Sequence, residues 1–412
     1  MTHSDIAGLL STWNEPVAPA LLAVELEDDS LRDGLQGAFV RRPSLAEKIE
    51  LLTLASQIGV HGAMLGFPAS SENELADCVA LVEAIAERGL GVTPRFLART
   101  RISDLEAILE VGRRSRRPIG ADFFIGTSTL RRRVEGWDFE ALLDGLAEAA
   151  EFMRSRGSPF SVTIEDATRT PPDDLRRVVE RIIDAGSTCV AIADTVGDAT
   201  PDGARRIVRF VRGIIDRRKP GVGLLWHGHN DRGLALANAL AAGAAGATRL
   251  HGCAAGIGER VGNTACDQLL VNLKLMGHPV YGPRDMSALV RFVRLAAEAT
   301  GHQLPVNYPV TGADAFRTAT GVHAAAIIKA QRKGDRWLAD RIYSGVPAGD
   351  FGKQQEIEIG PMSGLSNVKH WLARHEIPAD EPLAKAVLAR AKASNRTLTE
   401  SEVAQIVREV RS

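Results

Sequence analysis

Short apolar, β-branched or aromatic runs alternate with longer alanine- and leucine-rich segments between residues 21 and 253. Eight of these runs have the length and composition of buried strands, and they begin at residues 21, 61, 92, 119, 159, 189, 223 and 247. The runs recur about every 30 residues, which is the length of one strand–helix unit. Eight alternating strands and helices predict a (β/α)8 TIM barrel. A doubly wound open sheet is the alternative, but no GxGxxG motif follows the first run.

The segments between the runs carry helix start and stop signals. The first segment opens with Ser44 as a candidate N-cap, has Glu47 three residues later as in a capping box, and stops at Gly59. The rhythm breaks near residue 280, where the rest of the chain becomes mainly helical in pattern. We therefore expect an N-terminal segment at 1–20, a TIM-barrel catalytic domain at 21–285 and C-terminal helical subdomains at 286–412, with a helical tail at 360–412.

Composition narrows the function classes. The chain has 412 residues, and its 50 basic and 51 acidic side chains give a formal charge of -1. This balance argues against nucleic acid or a membrane surface as the main partner. No apolar run is long enough to span a membrane, and the N-terminus has no signal-peptide pattern. The four cysteines form no CxxC pair, so a cytoplasmic protein with reduced thiols is expected.

Polar side chains gather where the predicted strands end. In a TIM barrel the loops after the strands carry the chemistry, so these residues are expected to share one rim. They are Arg32, Asp33, Thr163, Glu165, Asp166, Asp194, Thr195, His227, His229, Glu259, Arg260 and Asn263.

The segment HGHND predicts a metal site on that rim. Side chains alternate along a strand, so His227 and His229 face the same side. Together with Asp33 they could ligate one divalent cation and leave positions open for substrate oxygens. Two ordinary hydrogen-bonded histidines are the alternative. Arg32 beside Asp33 could stabilise a developing alkoxide, or it could form only a surface ion pair.

Other rim residues allow two interpretations each. Glu165 could orient Arg32 or transfer a proton, or it could be a strut paired to Arg169. Thr195 could donate its hydroxyl to a substrate carboxylate or cap a helix. Cys253 is interpreted as a small apolar residue at a strand end rather than a nucleophile.

Seven motifs in order resemble those of one enzyme family. They are DDSLRDGLQ, GFPASSENE, LAR, EDATR, DTVGDATP, HGHNDRGLALANALAAGAAGA and GIGERVGN. Two later segments, GADAFRTATGVHAAAIIK and IEIGPMSGLSNV, continue the resemblance, which covers roughly residues 21–370. The family is that of the 2-isopropylmalate, homocitrate and citramalate synthases, within the HMG-CoA lyase-like superfamily of metal-dependent TIM-barrel enzymes. These enzymes condense an acyl-CoA with a 2-oxo acid.

The resemblance implies a role for each matching residue. Asp33, His227 and His229 would hold a divalent cation (Mg²⁺, Mn²⁺, Zn²⁺ or Co²⁺). The implied catalytic residues are Arg32, Glu165, His323 and Tyr343; the implied 2-oxo acid contacts are Gln36, Arg99, Asp122, Thr163 and Thr195; the implied acyl-CoA contacts are Gly256, Gly258, Glu259 and Asn263. The last two catalytic residues lie in segment 310–350, which in the synthases contributes to the active site, typically across the interface of a homodimer.

Four positions depart from the synthase pattern. Ala255 stands where the family usually has Asn, Met64 stands for a Glu, and Asp122 stands for a His. Leu35 gives DGLQ, the form found in hydroxymethylglutaryl-CoA lyases. Those lyases also carry a cysteine in a GCPYA loop, which is absent here, because the cysteine would align near Arg260. The pocket for the 2-oxo acid acceptor is therefore expected to differ from that of the known synthases.

The changed pocket leaves the function partly open. Met64 and Leu65 hint at an apolar acceptor. A carbon–carbon lyase and a non-catalytic metal- or small-molecule-binding homologue are the alternatives to a condensing enzyme. Feedback control through a regulatory domain like that of leucine-pathway synthases is not expected, because the chain ends too early.

Overall fold

Eight parallel strands close into a barrel in sequence order. The computed structural model describes residues 13, 14 and 16–412. Each strand lies within one of the predicted runs except for a residue at the end of β1, β3 and β4. The strands are β1 Glu25–Asp28, β2 Gly62–Gly66, β3 Thr93–Arg99, β4 Ala121–Gly126, β5 Phe160–Glu165, β6 Cys189–Asp194, β7 Gly223–Gly228 and β8 Arg249–Gly252. Closure through β1 and β8 confirms the TIM barrel and excludes the open sheet.

Helices connect the strands in the predicted alternation. They are α1 Leu45–Ile58, α2 Glu72–Glu87, α3 Ile102–Ser115, α4 Thr129–Glu135, α5 Phe139–Ser155, α6 Pro172–Asp184, α7 Pro201–Arg218, α8 Ala235–Ala244 and α9 Cys266–Leu275. The start of α1 has the predicted capping box: the Ser44 N–H donates to Glu47 Oε2 at 2.7 Å, and the Glu47 N–H donates to Ser44 Oγ at 3.3 Å.

The chain divides into two compact units. The first runs to Val40 and resumes from Gly59 to Pro283, so it holds the whole barrel of strands. The second consists of Arg41–Ile58 and Arg284–Ser412. Helix α1 thus groups with the C-terminal residues, although the strand–helix rhythm counts it among the barrel helices.

The second unit is mainly helical, as expected. Beyond α1 it contains α10 Ala288–Thr300, α11 Gly321–Arg332, α12 Arg336–Arg341, α13 Leu365–Arg374, α14 Glu381–Lys392 and α15 Glu400–Arg411. A two-stranded sheet pairs β9 Arg317–Thr318 with β10 Glu356–Ile357. The last three helices form the predicted tail, and Trp371, Val387 and Ile406 belong to its shared apolar core. No helix in the described part of the chain combines the length and apolar character needed to cross a bilayer.

The barrel interior carries a polar layer that the sequence pattern did not predict. Glu27 of β1 lies at its centre, with Nη2 of Arg95 at 3.4 Å, Nη1 of Arg249 at 3.5 Å and Nε2 of His251 at 3.1 Å. Arg95 also faces Asp122 at 3.9 Å. Buried charges are tolerated when they are paired in this way. We call these five residues the polar layer.

Candidate active site

The strand ends converge on one cavity of about 330 Å³, within the size range of small-molecule sites. Most of the residues singled out from the sequence line it. They are Arg32, Asp33, Gln36, Arg99, Thr163, Glu165, Thr195, His227, His229 and Glu259. The expectation of a single polar rim is therefore confirmed for these side chains. Four other residues expected on the rim do not line the cavity: Asp166, Asp194, Arg260 and Asn263.

Asp33, His227 and His229 form a compact donor set. Asp33 Oδ2 lies 3.5 Å from Nε2 of His227 and 3.8 Å from Nε2 of His229, and the two Nε2 atoms are 3.3 Å apart. All three side chains are buried. Their ligand atoms lie within 4.8 Å of one another, as required of groups that could hold one metal ion.

The protonation states suit a cation. Burial holds the pKa of His227 well below its ordinary value and also lowers the pKa of His229. Burial opposes ionisation of Asp33, but its neighbours, Arg32 first among them, outweigh burial and hold the Asp33 pKa well below its usual range. Neutral imidazoles and an ionised carboxylate are the forms that ligate divalent metals. The donor set thus fits the divalent cation that the sequence predicts.

A second carboxylate, Asp29, lies behind this donor set. It forms an ion pair with Nη2 of Arg32, whose Nη1 contacts Asp33 Oδ2 at 2.7 Å. Asp29 Oδ2 is also 3.6 Å from Nδ1 of His227 and 3.7 Å from Nδ1 of His251. Asp29 therefore links the guanidinium to the histidines. The sequence contains a signal for this position, because Glu25, Glu27 and Asp29 alternate along β1 and its end. Asp29 alone, however, has the pattern of a solvated acid on the rim.

The glycine-rich loop after β8 contacts Asp33 through the side chain of Asn263. Asn263 Nδ2 donates to Asp33 Oδ1 at 3.0 Å and to the carbonyl of Ile257 at 3.1 Å. Gly258 has φ 147°, and a Cβ there would lie 2.2 Å from Asn263 Nδ2, so only glycine allows this contact. Gly256 precedes it in the loop with φ 66°. The acyl-CoA contacts expected of Gly256, Gly258 and Asn263 stay a prediction.

Glu165 has a different partner from either one predicted. Its Oε1 lies 3.2 Å from Nε of Arg131, whereas Arg169 pairs with Asp166 and Arg32 pairs with Asp29 and Asp33. Both the strut to Arg169 and the orientation of Arg32 by Glu165 are therefore wrong. Burial raises the pKa of Glu165. Arg131 was missed because it lies on α4, whose direction towards the rim has no signal in the sequence.

Thr195 is not a helix cap. Its Oγ1 accepts a hydrogen bond from the Asp166 N–H at 2.8 Å, and Thr200 caps α7 instead. The alternative interpretation of Thr195 is therefore wrong. Since the hydroxyl oxygen already accepts, its proton is available for donation into the cavity.

Three predicted residues lie elsewhere. Asp122 belongs to the polar layer, where burial raises its pKa and Arg95 opposes the rise. His323 and Tyr343 belong to the second unit, where their rings stack with centroids 3.9 Å apart. Their roles in catalysis stay predictions. Cys253 is fully buried, and burial raises its pKa well above the ordinary value, as expected of a structural thiol.

Comparison with known proteins identifies the family. The HMGL-like family model matches residues 23–295. A homocitrate synthase, AksA, from Methanothermobacter thermautotrophicus is 31% identical over 355 residues, covering 86% of this chain and 84% of that protein. A probable 2-isopropylmalate synthase from Methanopyrus kandleri is 31% identical over 370 residues, covering 90% of this chain and 69% of that protein.

A solved structure agrees with the fold. The hydroxymethylglutaryl-CoA lyase of Pseudomonas aeruginosa superimposes with a TM-score of 0.55 at 23% identity, covering 67% of this chain and 92% of the lyase. That likeness concerns the barrel architecture alone. Because the family model spans all eight strands of the barrel and the synthase relatives align over most of the chain, this protein belongs to the HMGL-like family.

Proposed function

We propose that this protein is a divalent-metal-dependent enzyme that condenses an acyl-CoA, in the simplest case acetyl-CoA, with a 2-oxo acid. The observation that carries the proposal is the buried Asp33–His227–His229 donor set beside Arg32, in one cavity with hydroxyl and carboxyl side chains. The relatives named as homocitrate and 2-isopropylmalate synthases support the same reaction class.

The overall reaction consumes one water molecule. A carbon–carbon bond forms between the α-carbon of the acyl group and the carbonyl carbon of the 2-oxo acid. Water then displaces CoA by breaking the thioester carbon–sulfur bond. The products are a 2-hydroxy-2-substituted dicarboxylic acid and free CoA.

Asp33, His227 and His229 would hold the cation, which supplies Lewis-acid polarisation of the acceptor ketone when bound. The Arg32 guanidinium is held by Asp29 and Asp33 and is positioned to stabilise the negative charge that develops on the ketone oxygen. Preorganised charge of this kind needs no rearrangement when the bond forms.

The rim hydroxyls suit the acceptor carboxylate. The Thr195 hydroxyl oxygen accepts from the Asp166 N–H, and its proton is available to donate to another acceptor. Thr163 lines the same cavity from β5. We assign the substrate carboxylate to these two hydroxyls and the ketone end to Arg32.

Proton transfer needs a base for the α-carbon and an acid for the new alkoxide. Glu165 lines the cavity, and its raised pKa suits a carboxyl group that shuttles a proton. We assign removal of the α-proton to His323, assisted by Tyr343, and infer a homodimer in which these residues serve the site of the other protomer. The sequence resemblance supports that assignment.

A thiol-release assay tests the proposal. Purified protein is loaded with Mg²⁺, Mn²⁺, Zn²⁺ or Co²⁺ and given acetyl-CoA with a panel of 2-oxo acids. Acceptor-dependent release of free CoA that a chelator abolishes is the expected result. Absence of thiol release with every metal and acceptor would refute the proposed function. Cleavage of 3-hydroxy-3-methylglutaryl-CoA in a parallel assay would point to a lyase instead.

A further inference from the structure

We propose that the acceptor is a monocarboxylic 2-oxo acid with an apolar side chain, and that Met64, Leu97 and Phe124 select it. This inference rests on the proposed condensation and names the substrate class for the same cavity. It follows from two observations that are independent of each other: the pairing of every arginine that lines the cavity, and an apolar wall in the cavity lining.

No arginine of the cavity lacks an acidic partner. Arg99 donates to both carboxylate oxygens of Asp104, from Nε at 2.7 Å and from Nη2 at 2.9 Å. Arg131 contacts Glu165 at 3.2 Å and Glu135 at 2.5 Å. A ligand carboxylate would therefore have to compete with Asp104, Glu135 or Glu165 for these two guanidinium groups.

The remaining cationic groups have assigned partners too. Arg32 is paired with Asp29 and Asp33 and lies at the ketone end of the site. Arg95 lies deeper, does not line the cavity, and faces Glu27 and Asp122. A second carboxylate on the acceptor would therefore lose its hydration without gaining a cation that is free of protein carboxylates, which is a penalty in a buried site.

The carboxylates that line the cavity add to the penalty for a second acceptor carboxylate. Glu165 and Glu259 both line the cavity, and Glu259 is already paired with Arg260 at 2.7 Å. An acceptor such as 2-oxoglutarate would bring its distal charge towards side chains of the same sign. Repulsion of like charges is an effective way to exclude a competing substrate.

Part of the cavity lining is an apolar wall. Met64 on β2, Leu97 on β3 and Phe124 on β4 line it from three adjacent strands, and Phe67 extends it beyond β2. The donor set comes from β7 and from the segment after β1, on other strands of the barrel. An acceptor whose ketone faces Asp33 can thus direct its side chain onto the apolar wall.

The size and polarity of this wall favour a branched or aromatic side chain on the acceptor. Such a group would bury apolar surface against Phe124 and Leu97, whereas a methyl group would leave part of this wall in contact with water. Pockets of this type discriminate by roughly 10- to 200-fold per methylene group. Pyruvate should therefore be a weaker acceptor than its branched or aromatic analogues.

The experiment compares kcat/KM for seven acceptors with acetyl-CoA and the metal-loaded enzyme. They are pyruvate, 2-oxobutanoate, 3-methyl-2-oxobutanoate, 4-methyl-2-oxopentanoate, phenylpyruvate, oxaloacetate and 2-oxoglutarate. We expect a branched or aromatic acceptor to exceed both dicarboxylic acceptors by roughly 10-fold or more. A dicarboxylic acceptor with the highest kcat/KM overturns the inference but leaves the condensation standing. Failure of all seven acceptors overturns the proposed function itself.

A pair of variants tests the wall directly. Phe124→Ala removes a ring that lines the cavity, and Phe123→Ala removes a buried ring of the neighbouring residue on β4 that does not line it. The readout is the ratio of kcat/KM for the best apolar acceptor to that for pyruvate, which does not depend on how much protein is folded. We expect the ratio to fall roughly 10-fold or more in Phe124→Ala and to stay unchanged in Phe123→Ala. An unchanged ratio in Phe124→Ala contradicts the inference.

Discussion

Oδ2 of Asp29 lies 3.6 Å from Nδ1 of His227, on the opposite side of the imidazole from Asp33, which faces Nε2 at 3.5 Å. Metal-binding histidines commonly direct their second ring nitrogen at a carboxylate, which fixes the ring and makes the ligating nitrogen more basic. Asp29 is in the right place to do this for His227, and it holds Arg32 at the same time. It therefore contacts both a candidate metal ligand and the guanidinium that we propose stabilises the alkoxide.

Asp29→Asn should weaken metal binding and activity by about 10- to 100-fold, the usual effect of losing such an outer carboxylate. The matched control is Asp28→Asn on the preceding residue, whose Oδ1 accepts hydrogen bonds from Ser30. Calorimetric titration with Mn²⁺ and steady-state kinetics measure the two effects. Equal metal affinity in Asp29→Asn and the unmodified protein would contradict the role given to Asp29.

Metal should stabilise the folded protein if the donor set binds it. A ligand at a hundred times its Kd adds about 2.7 kcal/mol to the free energy of unfolding, so Tm should rise on addition of Mn²⁺. His229→Ala should lose most of that rise. His278→Ala is the control, because His278 is also buried but contacts the carbonyl of Val24 at 3.1 Å. A rise of the same size in His229→Ala would show that the metal binds elsewhere.

Local patterns explain why the barrel and its rim could be predicted. Strand length, helical period and caps such as Ser44 with Glu47 depend on neighbours in the sequence. Once the strands are placed, the rule that chemistry follows their C-terminal ends brings Asp33, His227 and His229 together without further information.

The missed features depend on contacts that are distant in the sequence. Glu27 contacts His251 because β1 pairs with β8 in a register that sets these two residues side by side, 224 positions apart. No periodicity in the sequence indicates that two such distant residues are in contact. Arg131 reaches Glu165 only through the direction in which α4 leaves β4, and the same kind of information would be needed for His323.

The pH dependence of the free energy of unfolding should show the raised pKa of Asp28. Burial raises the pKa of this carboxyl group to about 7, against an ordinary value of 3.8. Between about pH 4 and pH 7 the folded state therefore holds a proton that the unfolded state lacks, so Asp28 lowers the free energy of unfolding as the pH rises through this window. Above pH 7, Asp28 lowers the free energy of unfolding by a total on the order of a few kcal/mol.

Asp28→Asn removes this titration and keeps an oxygen that can accept from Ser30. In metal-free protein, denaturant unfolding should show the variant gaining stability over the unmodified protein at pH 8 but much less at pH 4.5. Asp173→Asn, on the exposed first turn of α6, is the control and should show no such difference. A pH-independent effect of Asp28→Asn would contradict the raised pKa.

Subunit mixing tests the inferred homodimer. Arg32→Ala and His323→Ala should each be inactive alone. If His323 serves the neighbouring protomer, a heterodimer of the two variants contains one intact site, and an equal mixture should recover about a quarter of the activity in a C2 dimer. Each variant is first checked for Tm and dimer mass. No recovery after complete subunit exchange would place His323 and Arg32 of one site on the same chain.

Metal-dependent condensation is tested most directly by mass spectrometry of the product formed from acetyl-CoA labelled with carbon-13 in its acetyl group. With a metal-loaded enzyme and the acceptor panel, we expect a new acid whose mass equals the acceptor plus labelled acetic acid. One CoA thiol should be released per product, and both signals should vanish after chelation and in His229→Ala. Release of free CoA together with labelled acetate, with no label joined to any acceptor, would show hydrolysis alone and would contradict the proposed condensation.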